Sequence, residues 1–221
     1  MKIKEWKCNI ESMKVYDISH LLNESTPIYP GNANFSIKRV QNMPKDSSNS
    51  SEITMGSHFA THIDAPVHMI EDGKSIDQFP IDRFVGKCDV LDLSMLDKES
   101  IEKKDLEKKR IKNNIVLIKT QNSIIGFDIF HEDFIYLSDS GSDYILSQGI
   151  KLVGVDAPSV KKFRYHPDYV HNNLLGNDCL IAEGLNLKEI SEGEYFFIGA
   201  PLNFEGADAS PARIILIEGL L

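Results

Sequence analysis

A chain of 221 residues, 42% hydrophobic and 26% charged, is long enough to bury a sizeable core as one large domain. Its formal net charge of −9, with no Lys/Arg cluster interleaved with aromatics, sets the average surface against nucleic-acid backbones and anionic membranes. No apolar run approaches the roughly 20 residues that span a bilayer, and the N-terminal MKIKEWKCNIESMKVYDI lacks the apolar centre of a signal peptide.

In chain order, VYDISHLL (15–22) reads as a short strand, and STPIYPGN (25–32) as a turn-rich loop broken by Pro27, Pro30 and Gly31. FSIKRV alternates apolar and polar residues and predicts a strand. PKDSSNSSE (44–52) is expected as a polar, mobile loop, after which ITMGSHFATHI begins with β character. GKCDVLDLS (86–94) carries a strand around Val90 and Leu93. The charge run of KESIEKKDLEKKRIKNN predicts a solvated helical face. NNIVLIKT (113–120) suits a buried strand. A helix is expected over Ser140–Gln148, ended by Gly149, then a strand at Lys151–Val155, another near Cys179–Ala182, and two more in EYFFIGAPL and ARIILIE.

Strands outnumber helices and do not alternate strictly with them, so a pure doubly wound sheet is not favoured. The expected architecture is α/β, a mixed and partly closed sheet with helices packed outside, as a single domain over 1–221. Cys8, Cys88 and Cys179 are far apart and form no C-x-x-C pair. Buried, inert thiols in a reducing cytoplasm are therefore expected, rather than disulfides or a thiolate zinc site.

The densest chemistry lies in GSHFATHIDAPVHM, where His58, His62, Asp64 and His68 follow H-x3-H-x-D-x3-H. Imidazole and carboxylate donors of this kind suit zinc or manganese. All four residues share one parity, yet on a straight strand His58 and His62 would stand roughly 13 Å apart, too far for one ion. Shared ligation therefore requires a bend near Phe59–Thr61; without it the stretch is a polar loop rich in histidine. Pro66 ends regular structure after Asp64. His68, beyond it, is placed to face the site as an acid/base, since a free imidazole titrates near neutrality. Further along, Glu183 stands inside the apolar run LIAEGL, where a bare carboxylate would be costly. His171 lies twelve residues before it. Phe35 and Phe59 are candidates for an apolar wall or for plain core packing.

These pieces resemble the metal-dependent cyclase family, which includes bacterial kynurenine formamidases. Its signature H-x-G-T-H-x-D-x-P-x-H appears here as HFATHIDAPVH, with Ala60 at the glycine position. DIS and TPIYPGN, NIVLIKTQN, KLVGVDAPSV, the segment His171–Leu185 and GADASPARIILIE are similar to further family segments. The resemblance implies a swivelling β/β/α-type fold and a pair of divalent metals, zinc or manganese. His58, His62, Asp64, His171 and Glu183 would be ligands, Asp64 and Glu183 bridges, and His68 the proton relay. It also implies hydrolysis of a small-molecule amide, N-formylkynurenine or a lactam such as isatin, by a homo-oligomer. Tyr29 stands beside the Pro30-Gly31 pair, where formamidases often carry Trp, and is the candidate substrate contact; the only tryptophan, Trp6, lies upstream. Ala209 replaces a second family glycine, and Asn172 stands where another histidine is usual. The rival from another class is a metal- or ligand-binding module without turnover.

Overall fold

The computed structural model describes residues 13–220, so Trp6 and Cys8 lie outside the described residues. In chain order the strands are β1 (Lys14–Asp17), β2 (Ser36–Gln41), β3 (Ser50–Thr54), β4 (His62–Asp64), β5 (Val85–Asp92), β6 (Ser100–Ile101) and β7 (Ile115–Lys119). They continue with β8 (Tyr136–Leu137), β9 (Leu152–Val155), β10 (Leu180–Glu183), β11 (Gly193–Ile198), β12 (Ala209–Pro211) and β13 (Ile215–Glu218). The helices are α1 (Lys103–Leu106), α2 (Asn122–Ile125), α3 (Asp139–Ser147) and α4 (Tyr169–Gly176).

Nine strands make one mixed sheet in the order β1-β13-β11-β5-β7-β9-β10-β4-β12. Its centre, β5-β7-β9-β10, is parallel, and the flanking pairs are antiparallel. The apolar run IVLIK forms β7 with every residue buried, because a central parallel strand is covered on both faces. Ile115 and Leu117 join one cluster with Ile63, Leu180 and Phe197, while Val116 and Ile118 join another with Leu137, Ile145 and Leu174 from the helical side. Period-two alternation thus sorts one continuous apolar run into two cores. A Cβ on Gly154 in β9 would lie 2.5 Å from Leu117 Cδ2 and 2.7 Å from Leu185 Cδ1, so both leucines would have to shift to admit one. The expected mixed, curled sheet with outer helices is the observed one.

Two local expectations are corrected. The charged segment after Lys98 is helical only over Lys103–Leu106, started by reciprocal hydrogen bonding between Glu102 and Asp105. Its apolar residues, Ile101, Leu106 and Ile111, recur every five positions, so they precess around a helix and line no continuous face; only the turn that buries Leu106 is helical. The polar segment 44–52 is a loop only at its start; from Ser50 it pairs with β2 as β3. The turn between them is closed by the Asn42 N–H donating to Asp46 (2.6 Å) and the Met43 N–H donating to Asn49 (3.0 Å). Helix α4 is an addition to the expected elements. Cys88 and Cys179 are buried free thiols, and burial pushes each up to about 12. Among the described residues no helix is long and apolar enough to cross a membrane.

Candidate metal centre

Strand β4 lies between β10 and β12, with His62 opposite Glu183 and Asp64 opposite Ala209. Ile63 and Ala182 point into the enclosed core. Alternation therefore turns His62, Asp64 and Glu183 to the other face, where α4 presents His171. The chain bends just before β4, as the spacing of the histidines requires: His58 and His62 bring their ring centroids to 5.0 Å. The bend turns on Ala60, which stands at the glycine position of the signature with φ 55. The glycine position of the signature is thus a left-handed one, and this chain fills it with alanine.

Five side chains converge on one buried volume. His58 Nδ1 lies 2.8 Å and His62 Nε2 3.2 Å from Asp64 Oδ1, and His171 Nε2 lies 3.7 Å from Asp64 Oδ2. Glu183 stands 3.4 Å from His62 Nε2 through Oε2 and 3.1 Å from His171 Nε2 through Oε1. Glu183 Oε1 also accepts the Val160 N–H at 2.6 Å. His62, Asp64, His171 and Glu183 are all buried.

Despite this crowding, His62 Nε2 and both oxygens of Asp64 have no hydrogen-bond partner. Buried polar atoms are normally satisfied, and an unpaired buried carboxylate is expensive. The outer nitrogens, in contrast, are held. His62 donates from Nδ1 to the Ala60 carbonyl (2.9 Å), and His171 Nδ1 lies 3.1 and 3.0 Å from the two oxygens of Asp168. Both rings therefore aim Nε2 inward, the arrangement that metal-binding histidines adopt. Two groupings of donor atoms are close enough to hold an ion, His62–Asp64–Glu183 and His58–Asp64–His68, and Asp64 is common to both. The donor set fits a divalent metal.

The buried imidazoles and carboxylates shift one another strongly. Burial alone would depress His62 and His171, but the Asp64 charge on the first, and Asp168 with Glu183 on the second, override it and push each to about 10. Burial likewise opposes ionisation of Asp64, yet the charges of His58 and His62 hold it well below the carboxylate range. Asp168 falls to about 2 against its burial, through His171 and Lys161.

His68 sits at the end of the short 3-10 turn Pro66–His68, partly exposed, with its ring 4.1 Å from His58 and 5.6 Å from His171. Burial moves its pKa down. A cavity of about 540 Å³ opens over the cluster, with His58, His62, His68, His171 and Glu183 on its wall beside Tyr29. Tyr29 is set among Phe130 and Phe163, with ring centroids at 5.3 and 5.5 Å. Phe59 is buried and stacked on Phe35, so it packs the core. His20 stacks on Phe127, away from the cluster. Asn172 lines the cavity and donates to the Asp168 carbonyl. Ala209 keeps ordinary backbone angles, so its replacement of glycine is mild.

Two further acids belong to the site. Asp168 caps α4 and steers His171; an Asp three residues before a helical His is a readable N-cap signal. Asp208 accepts from His58 Nε2 at 2.9 Å and stands 3.7 Å from His68 Nδ1. The register of β12 against β4 brings it there, and its signal in the residues is its place in the family-like segment GADASPARIILIE.

A curled mixed sheet with histidines and carboxylates gathered under an open cavity defines a metal-centre protein. The model of the family described as "Putative cyclase" matches residues 16–162, and the chain belongs to that family. It is 31% identical over 217 residues to a kynurenine formamidase of Erythrobacter litoralis (strain HTCC2594), covering 98% of both chains. Among solved structures it is similar to a potential metal-dependent hydrolase with cyclase activity, at 35% identity and TM-score 0.82, covering 93% of this chain and 98% of that one. The fold also matches isatin hydrolase A from Labrenzia aggregata bound to benzyl benzoate, at 23% identity, TM-score 0.83 and 95% of each chain.

Proposed function

We propose that this chain is a metal-dependent amidohydrolase that cleaves a small non-peptide amide in the manner of a kynurenine formamidase. The observation that carries this reading is that His62 Nε2, Asp64 Oδ1 and Asp64 Oδ2, crowded together and buried, each lack a hydrogen-bond partner beneath a cavity that also holds a partly exposed His68. The full-length likeness to a kynurenine formamidase supports the choice of amide.

His58, His62, Asp64, His171 and Glu183 are the residues that would hold two divalent ions, zinc or manganese, with the carboxylates of Asp64 and Glu183 shared between them in this reading. A bound divalent metal lowers the pKa of a coordinated water and polarises a carbonyl oxygen. The chain's own residues do the rest. The Ala60 carbonyl and the Asp168 carboxylate fix the tautomers of His62 and His171. The aromatic group of Tyr29, Phe130 and Phe163 offers a flat apolar wall. His68, on the open side of the cluster, carries a proton to the departing amine.

The hairpin β2–β3 is exposed along its whole length, with Ile37 and Ile53 opposite each other in register and each more than half exposed. An isolated two-stranded ribbon is marginal in water, so a second copy of the chain is the proposed cover and the functional form a homo-oligomer. The deciding experiment supplies purified protein with zinc or manganese and offers N-formylkynurenine, formanilide and isatin. Turnover of the formyl amides supports the reading; turnover of isatin alone makes it a lactam hydrolase; metal uptake without any turnover makes it a binding module.

A further inference from the structure

The cavity has a second chemical feature, on the segment that leads from β9 to α4. Residues 161–166 read KKFRYH, three strong cations in a chain whose net charge is −9. Two of them are committed. Lys161 Nζ lies 3.0 Å from Asp168 and donates to the Tyr165 carbonyl at 3.1 Å. Lys162 pairs with Glu99 and stands over the Tyr136 ring.

Arg164 is different. It lines the cavity, is exposed, and has its guanidinium carbon 4.8 Å from the centroid of Phe163, but it forms no ion pair among the described residues. Its backbone is left-handed, at φ 54, an uncommon state for a long side chain. Its backbone N–H lies close to the Tyr29 hydroxyl. Among the described residues no acceptor is in place for the proton of that phenol, so Tyr29 remains a donor on the cavity wall. A guanidinium resting on an aromatic face, next to a phenolic O–H, presents convergent donors to the cavity. The metal-cluster end of the same cavity is built around the carboxylates of Asp64 and Glu183.

We propose that Arg164 and Tyr29 form a subsite for a carboxylate on the part of the substrate remote from the scissile amide. A single unpaired planar fork matches one carboxylate; a phosphoryl group would call for the additional cations that Lys161 and Lys162 have already given to Asp168 and Glu99. The subsite also gives an anionic substrate a local attraction that the acidic surface as a whole does not. This rests on the amidohydrolase reading for the word substrate, but the binding of the anion does not depend on turnover.

The test uses the full chain loaded with zinc and two probes that need no hydrolysis, L-kynurenine and its carboxamide, titrated by calorimetry. The carboxylate is expected to bind about tenfold more tightly than the carboxamide, the scale of one charge-assisted hydrogen-bond pair. Arg164→Gln should erase that ratio while leaving the carboxamide's affinity alone, and Tyr29→Phe should reduce it in part. Arg164 is exposed, so its loss does not threaten the fold. Equal affinities in the parent, no binding of the carboxylate, or an Arg164→Gln that weakens both probes alike would overturn the subsite. The formyl derivatives of both probes separate the two readings. Turnover with equal KM removes the subsite and keeps the hydrolase, whereas Arg164-dependent binding without turnover does the reverse.

Discussion

The ring of His62 donates from Nδ1 to the carbonyl oxygen of Ala60, 2.9 Å away and two residues earlier in the chain. This short link ties the orientation of a buried histidine to the left-handed backbone of the residue before Thr61. The bend is braced from outside as well. Thr61 donates to the Gly184 carbonyl at 2.6 Å, and a Cβ on Gly184, itself at φ 63, would stand 2.4 Å from the Ala60 oxygen.

Alanine at φ 55 carries a left-handed penalty of about 1–2 kcal/mol. Glycine would remove it but lose a buried methyl and add about 0.4–1 kcal/mol of unfolded-state entropy. Ala60→Gly is therefore expected to change stability by less than about 1 kcal/mol in either direction. Ala60→Val, with its branched Cβ in the same conformation, should cost more than about 2 kcal/mol and lower zinc content. Urea unfolding of both variants, with elemental analysis, checks this; a Val variant as stable as the parent would mean the bend is not left-handed.

Asp168 touches no other candidate ligand than His171, so removing its charge isolates its steering role. Asp168→Asn is expected to leave the fold intact and weaken metal affinity about 10- to 100-fold, the usual effect of losing a carboxylate behind a metal-binding histidine. Competition with a chromophoric chelator measures it. Unchanged affinity would place His171 outside the metal's coordination.

In the metal-free protein His62 and His171 hold their protons up to about pH 10. Their raised values contribute stability that is fully present below about pH 6.5 and is lost as pH climbs through about 10. Asp64 and Glu183, both depressed, contribute stability present above the ordinary carboxylate range and lost as pH falls below it. Apo stability should therefore peak between these limits, falling on both sides. Metal needs the two Nε2 lone pairs, so loading at pH 7 should release about two protons from these histidines. Calorimetry in buffers of different ionisation enthalpy counts them; no proton release would contradict ligation by these rings.

How much of this was legible in the residues depends on whether the signal is local. The strands IVLIK and LIAE, the helix ended by Gly149 and the H-x3-H-x-D spacing all carry their pattern within a few residues, and each sits where that pattern puts it. Glu183 was conspicuous because a carboxylate in an apolar strand needs a partner, and His62 and His171 are those partners. The charged stretch after Lys98 is less helical than its charge density suggests, because apolar residues spaced five apart line no continuous face and only the turn that buries Leu106 forms. Asp208 reaches His58 through strand pairing across 150 positions, and its signal in the residues is its place in the family-like segment GADASPARIILIE.

If a second copy covers the β2–β3 ribbon, placing charge on its apolar face should separate the subunits. Ile37 and Ile53 are directly paired, so Ile37→Glu with Ile53→Glu sets two like charges side by side on that face. Light scattering should give an oligomer for the parent and a monomer for the double variant, with the far-UV spectrum retained. A parent that is monomeric at micromolar concentration removes the proposal.

His68 and Glu183 allow the sharpest separation of ligand from relay. Glu183 is buried, contacts His62 and His171, and is expected to hold metal; Glu183→Ala should lower the metal content of purified protein to about half or less. His68 is partly exposed and faces the cavity, yet its ring also lies close enough to Asp64 and His58 to be grouped with them as donors. A relay would leave His68→Ala with full metal and about 10²–10⁴-fold lower turnover, the range of a positioned acid/base. A ligand would lose metal and turnover together. Elemental analysis alongside kcat distinguishes them, and parent-rate hydrolysis by His68→Ala would rule out both roles.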